Sequence, residues 1–258
     1  MLTFDQIKKV YPEEVLIKNP RAVLVEYLQH EILDSIYKQP GSENLSFIGG
    51  TAIRIVYESK RFSEDLDFDN FGLSYSGFKD LLGKVVLDME AKGFEIEFRF
   101  VEKGAYHCYI KFPEILQNSG LAVHEEEKML IRIDTVSKKK IAPPEVFTLS
   151  RFDVYRNILV NPQAVILSQK MIAILERKRE KGRDFYDVSF LLGRTEPDYE
   201  YLEKMCGIKK NELKNALLKK ADSINMDDML KDVSPFLIDK EDKERILSFR
   251  KYIEQKLG

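Results

Sequence analysis

The chain has 258 residues, 44% hydrophobic and 33% charged, which suits a globular fold with a buried core in one large or two small domains. A formal net charge of −2 and a pI near 6.1 exclude binding of nucleic acid through a global basic field and leave room only for a local patch. Cys108 and Cys206 are too few and too far apart for a disulfide scaffold or a zinc site, and no apolar run reads as a signal peptide or a membrane span, so a cytoplasmic chain with no membrane partner is expected.

Residues 1–40 read as helices. Thr3 and Gln6 have capping-box spacing, and Asn19-Pro20 reads as an N-cap followed by proline at the first helical position. Val23, Leu24, Tyr27, Leu28, Ile32, Leu33 and Ile36 then recur at helical spacing as far as Pro40-Gly41. His30 lies in that helix and reads as a packing or surface residue. Leu45 to Ile48 is a short apolar run that leads into a Gly49-Gly50-Thr51 turn, which opens a helix from Ala52 to Tyr57.

The next stretch, Ser63-Glu64-Asp65-Leu66-Asp67-Phe68-Asp69, reads as a strand with alternate acids. Asp65, Asp67 and Asp69 then point one way and Leu66 and Phe68 into the core, and two such carboxylates about 7 Å apart can converge on a divalent cation. The glycine turn offers backbone N–H groups at a helix N-terminus, where phosphate oxygens bind. A solvated strand end or a calcium loop would also carry such acids, but the glycine and glutamate of an EF-hand loop are missing.

A helix follows from Ser74 or Ser76 to about Lys92, closed by Gly93. Phe94 to Phe100 alternates as a half-buried strand, and Tyr106 to Phe112 is a second, with a turn near Gly104. In Lys128 to Val136, Leu130, Arg132 and Asp134 share one strand face and Ile131, Ile133 and Thr135 the other. A lone strand acid is costly to bury unless paired or metal-bound, and by itself Asp134 reads as an exposed edge-strand acid or one satisfied by backbone. Lys138-Lys139-Lys140 and Pro143-Pro144 mark a linker or domain edge, and Phe147 to Leu159 leaves room for one more strand. From Pro162 the pattern is helical: 165–178, 183–192, 199–205, 209–220 and 240–256.

Gly-Gly-Thr followed by Arg-Phe-Ser-Glu-Asp-Leu-Asp-Phe resembles the AbiEii nucleotidyltransferase toxins of the DNA polymerase β-like superfamily. The segment LSQKMIAILERKREKGRDFYDVSFLL resembles the C-terminal signature of the same family. The resemblance is dense over residues 47–69, 131–135 and 168–192. It implies an α/β (α+β) fold: a polymerase β-like core with a small mixed sheet over 41–160, N-terminal helices over 1–40 packed on it, and a helical C-terminal domain over 161–258 that closes over the site.

The resemblance also implies roles. Asp65, Asp67 and Asp134 would hold Mg²⁺ or Mn²⁺, and Asp134 could take the proton of the acceptor hydroxyl. Gly49, Gly50, Thr51 and Lys170 would hold the triphosphate of an NTP. Asp184 would orient Lys170 or the acceptor, and Arg183 would pair with Asp184 or touch phosphate. Ser63 would support the site and Glu64 would be structural. Read from the residues alone, Lys170 is a solvated helical lysine, and Asp184 and Asp187 are acids favoured near a helix N-terminus. Arg177, Lys178, Arg179, Lys181 and Arg183 form a basic run, usually a solvated face, that could meet RNA, and Arg54 and Arg61 could add positive charge near the phosphates.

The implied activity is transfer of a nucleoside monophosphate from an NTP to an acceptor, RNA and in particular the tRNA 3′ end, by the toxin of a bacterial toxin–antitoxin or phage-defence (abortive infection) system with a cognate antitoxin. Two rivals stay open: an Asp-x-Asp glycosyltransferase using a nucleotide sugar, and an inactive nucleotide-binding interaction protein.

Overall fold

Local signals place most elements of the chain, whose computed structural model describes residues 1–139 and 141–257, with Lys240 described by its backbone alone. The Thr3 hydroxyl accepts from the Gln6 amide and the Gln6 side chain accepts from the Thr3 amide, which starts α1 (Phe4–Lys8). After α2 (Glu13–Lys18), the long α3 (Pro20–Tyr37) begins at Pro20 without a side-chain cap from Asn19. Proline has no N–H to satisfy there, so the missing cap costs little.

Then come β1 (Leu45–Ile48), α4 (Gly49–Tyr57), β2 (Leu66–Asn70) and α5 (Tyr75–Ala91). Ser74 caps α5 by accepting from the Gly77 amide at 3.1 Å. Gly93, at φ +92°, ends the turn beyond that helix, and the Phe94 amide returns to the Met89 carbonyl. That closure holds Phe94 as a buried staple against Tyr27 and Phe112, so the strand expected from Phe94 starts later, as β3 (Glu97–Glu102). β4 (Tyr106–Phe112), the short α6 (Ile115–Asn118) and β5 (Met129–Ser137) follow.

The stretch expected to hold one strand forms two, β6 (Glu145–Arg151) and β7 (Val154–Val160), paired antiparallel. Their turn places Phe152 at φ +58°, a conformation a bulky side chain adopts only when its surroundings fix it. The ring is fixed, edge-on to Tyr27 at 5.3 Å and to His30 at 5.1 Å. Among the described residues the α-helices that follow are α7 (Gln163–Glu176), α8 (Gly182–Leu192), α9 (Tyr199–Cys206), α10 (Lys210–Asp222), α11 (Met226–Val233), α12 (Glu244–Leu247) and α13 (Phe249–Lys256). The single helix expected over 240–256 is broken at Ser248. Lys140 of the expected lysine linker lies outside the described residues.

The chain divides into two units. One comprises Met1–Val56, Phe62–Lys140 and Pro144–Val160; the other comprises Tyr57–Arg61, Ile141–Pro143 and Asn161–Gly258. The first holds a mixed seven-stranded sheet in the order β3-β4-β5-β2-β1-β7-β6, with β2/β5 and β1/β7 parallel and the other neighbours antiparallel. This mixed α/β architecture is the fold class the sequence implies. Phe47, Leu66, Phe68, Cys108, Ile110, Ile131 and Ile133 are buried on one sheet face. Phe78 of α5 meets that face edge-on to Phe100 at 6.2 Å. Cys108 is a core residue whose thiol burial pushes up to about 12, so it stays protonated and inert. The second unit is helical, and among the described residues no helix is long and apolar enough to cross a membrane.

His30 is 1% exposed, within 2.7 Å of the Glu26 carbonyl at Nδ1, and burial pushes its imidazole down to about 4, with Arg151 and Arg54 adding to that and Glu26 opposing it. Between the unfolded value of 6.5 and 4, the unfolded chain binds a proton that the folded chain refuses, so stability falls as pH falls through that window. The expected loss on going from pH 7 to pH 4 is about 3 kcal/mol from this residue. Urea titrations across that range should show it, and His30→Gln should remove that part of the slope.

Candidate active site

The acids face away from the buried layer. β2 and β5 run parallel and in register, with Asp67 beside Asp134, while their neighbours Leu66 and Ile133 point into the core. Strand alternation therefore puts both carboxylates on the same exposed side. Asp65 sits one residue before β2, which starts at Leu66 and not at Ser63 as the alternation suggested. Asp69, further along, is 2% exposed and belongs to the interior.

The glycine turn grips this acidic segment at two points. Ile48, the last residue of β1, is the register partner of Asp67, and Gly49 follows it at φ +79°. A Cβ on Gly49 would stand 2.9 Å from the Asp67 Cβ and 3.0 Å from its Cγ, a clash no side chain tolerates. Only glycine lets the first turn of α4 come this close to the carboxylate. Thr51 is fully buried and its hydroxyl donates to the Asp65 carbonyl. Of the residues expected to hold phosphate, Thr51 thus has its hydroxyl proton directed to the Asp65 backbone. The first-turn amides of α4 have no helical carbonyl to satisfy them, the setting in which helix N-termini can meet anions.

Two residues given no role from sequence complete the cluster. Arg132 donates from Nη2 to Asp65 Oδ2 at 2.8 Å and holds its Nε 2.8 Å from Asp134 Oδ2. Burial works against its charge, but Asp65, Asp134 and Asp67 outweigh burial and raise its pKa. His107, the register partner of Asp134 on β4, places Nδ1 2.7 Å from Asp134 Oδ1. Arg132 shares the Asp134 face by strand alternation, a signal the sequence carried; nothing in spacing links His107 to Asp134. Among the described residues no three His, Cys, Asp or Glu side chains are grouped closely enough to hold a metal ion, and the guanidinium lies between two of the expected ligands. The chemistry of the three carboxylates, and not their present spacing, is what suits a hard divalent cation.

Lys170, Asp184 and Arg183 lie in the second unit, with a network of their own. Lys170 Nζ reaches Asp187 Oδ2 at 2.8 Å and Asp184 Oδ1 at 3.1 Å, so it is not a solvated lysine. Asp184 lies in the first turn of α8, where an acid is favoured, and both Asp184 and Asp187 are buried. Arg61 grips Asp187 with two hydrogen bonds of 2.6 Å, which corrects its reading as a source of charge for phosphates. Burial opposes the charge on both partners, yet each stays ionised: Arg61 and Lys170 hold the Asp187 carboxyl below the usual range, and Asp187 raises Arg61. Arg177, at 3.5 Å, and not Arg183, is the arginine that pairs with Asp184. Arg54, in the first unit, is paired with Glu26 at 2.6 Å and lies over the Phe62 ring, so its charge too is committed elsewhere.

The family described as nucleotidyl transferase AbiEii toxin, type IV toxin–antitoxin system, matches residues 31–255. The chain belongs to this family. Like its other members, this AbiEii chain is a nucleotidyltransferase. No curated protein matches it by sequence. Among solved structures it is similar to MenT4, a nucleotidyltransferase toxin from Mycobacterium tuberculosis, with a TM-score of 0.60 and 15% identity over 98% of this chain and 90% of that one. It is also similar to JHP933 from Helicobacter pylori, with a TM-score of 0.55 and 18% identity over 91% of each chain. At these identities the likeness is one of fold.

Two substitutions test the geometry. Gly49→Ala forces a Cβ against Asp67 at positive φ; nucleotide transfer should fall to background while the melting temperature drops only a few degrees. Arg61→Ala leaves Asp187 buried against Lys170 alone and should cost about 3–5 kcal/mol in denaturant unfolding. An Arg61→Ala protein as stable as the parent would contradict the buried clamp.

Proposed function

We propose that this AbiEii chain transfers a nucleoside monophosphate from an NTP to the 3′ end of an RNA, with tRNA the expected acceptor, and that a cognate antitoxin restrains it. The observation that carries the reading is the pairing of Asp67 with Asp134 across two parallel strands, closed on one side by a glycine turn that admits no side chain. In this reading the α4 amides bind phosphate oxygens, and Asp65, Asp67 and Asp134 hold Mg²⁺ or Mn²⁺. A bound divalent ion would supply charge stabilisation for the attacking and leaving oxygens. Asp134 accepts the proton of the acceptor hydroxyl, with His107 fixing one of its oxygens. Lys170, its ammonium oriented by Asp184 and Asp187, is proposed as a phosphate contact, and Arg183 as a second.

The RNA acceptor has support on the sheet itself. In the rows next to the acids, Arg99 stacks over Tyr109 at 4.6 Å, Tyr109 is the register partner of Arg132, and Lys111 is exposed beside them. The nearby Glu97 is already paired with Lys128 at 2.6 Å. Cations interleaved with an aromatic ring suit a single-stranded polynucleotide, whose phosphates need charge and whose bases stack. The exposed Arg177, Lys178 and Arg179 offer further phosphate contacts.

Incubation with each labelled NTP, Mg²⁺ and total cellular RNA, followed by a gel, tests the reading. Label should move to RNA with release of pyrophosphate, and Asp67→Asn or Asp134→Asn should abolish it. Release of a nucleoside diphosphate would favour the glycosyltransferase, and label on protein would replace RNA as the acceptor.

A further inference from the structure

Arg132 stands where a cation would be wanted. Its guanidinium donates to Asp65 Oδ2 at 2.8 Å and sits as an ion pair 2.8 Å from Asp134 Oδ2, its Nε not aligned for a hydrogen bond, while His107 meets the other Asp134 oxygen. A hard divalent ion takes carboxylate oxygens as ligands, so it competes with the guanidinium for the same lone pairs. The arginine is able to yield: its side chain is 36% exposed and that of Asp65 27%, and partly exposed ion pairs are weak.

We infer that Arg132 is a built-in counter-ion that occupies the metal position of the idle enzyme and couples metal binding to nucleotide binding. The inference rests on the metal-dependent reading above. With no nucleotide, a metal ion must displace Arg132 and leave its charge without a partner. With an NTP present, the displaced guanidinium has a polyphosphate to pair with, in the two-pronged geometry it uses for carboxylates. Metal and nucleotide then each raise the affinity for the other, as linkage requires. Arg132 is accordingly a positioning residue whose effect shows in binding before any turnover.

The test is Mn²⁺ affinity, read from the electron paramagnetic resonance signal of the free ion, with and without a non-hydrolysable NTP analogue. In the parent, the analogue should tighten Mn²⁺ binding about tenfold or more, a coupling of ordinary size. In Arg132→Gln, Mn²⁺ alone should bind about tenfold tighter than in the parent, and the gain from the analogue should shrink. Arg132→Lys, a point charge that cannot span both acids, should fall between them, and it carries the test if Arg132→Gln fails to fold by circular dichroism. Unchanged or weaker Mn²⁺ binding in both variants overturns the inference. Parent binding that survives Asp67→Asn, or is absent even with the analogue, overturns the metal reading itself.

Discussion

Asp67 and Asp134 face the same side of the sheet because β2 and β5 run parallel with these two residues in register. Two carboxylates on adjacent strands repel, and directly opposed like charges destabilise a sheet. The fold keeps them because the Arg132 guanidinium lies between Asp65 and Asp134, and His107 meets Asp134 from β4 within hydrogen-bond distance. The same constraint explains the glycine corner. Gly49 is pressed so close to Asp67 that the turn and the acids form one unit of design. Register, turn and counter-ion each make sense only with the other two.

The second unit shows the same physics with burial turned up. Arg61 and Asp187 are 1% and 0% exposed, where an unpaired charge would be costly to keep. Lys170 shares Asp187 with Arg61, which fixes the ammonium in place. Arg61 comes from the Tyr57–Arg61 segment, between α4 and β2, that belongs to this unit. The Arg-Phe-Ser run that precedes the acidic strand in the sequence thus has a structural purpose: its arginine clamps Asp187 inside the helical unit.

How legible this was depended on whether a residue's role was local. The alternation of Leu130 to Thr135 and the acids of 65–69 declared strands and faces, and the glycine turn declared the start of α4. The hairpin of β6 and β7 was invisible because its turn has no glycine or asparagine; Phe152 adopts φ +58° through packing against Tyr27 and His30, residues far away in sequence. Phe94 looked like the first residue of a strand, but its amide closes a helix end. Thr51 and Arg61 carry the chemistry of a phosphate site, and their hydrogen bonds run to the Asp65 backbone carbonyl and to the Asp187 carboxylate. Long-range partners of that kind leave no period and no spacing in a sequence. Asp134 could be assigned only through family resemblance, since one acid in an apolar strand has many explanations.

The account stands or falls on where a divalent ion goes. Crystals grown with Mn²⁺ and a non-hydrolysable NTP, measured for anomalous scattering from manganese, locate it directly. The account predicts a peak bounded by Asp65, Asp67 and Asp134, with the nucleotide phosphates against Gly49 and Gly50 and Arg132 withdrawn from the acids. Manganese and phosphate found elsewhere on the chain, with Arg132 still bridging Asp65 and Asp134, would contradict it.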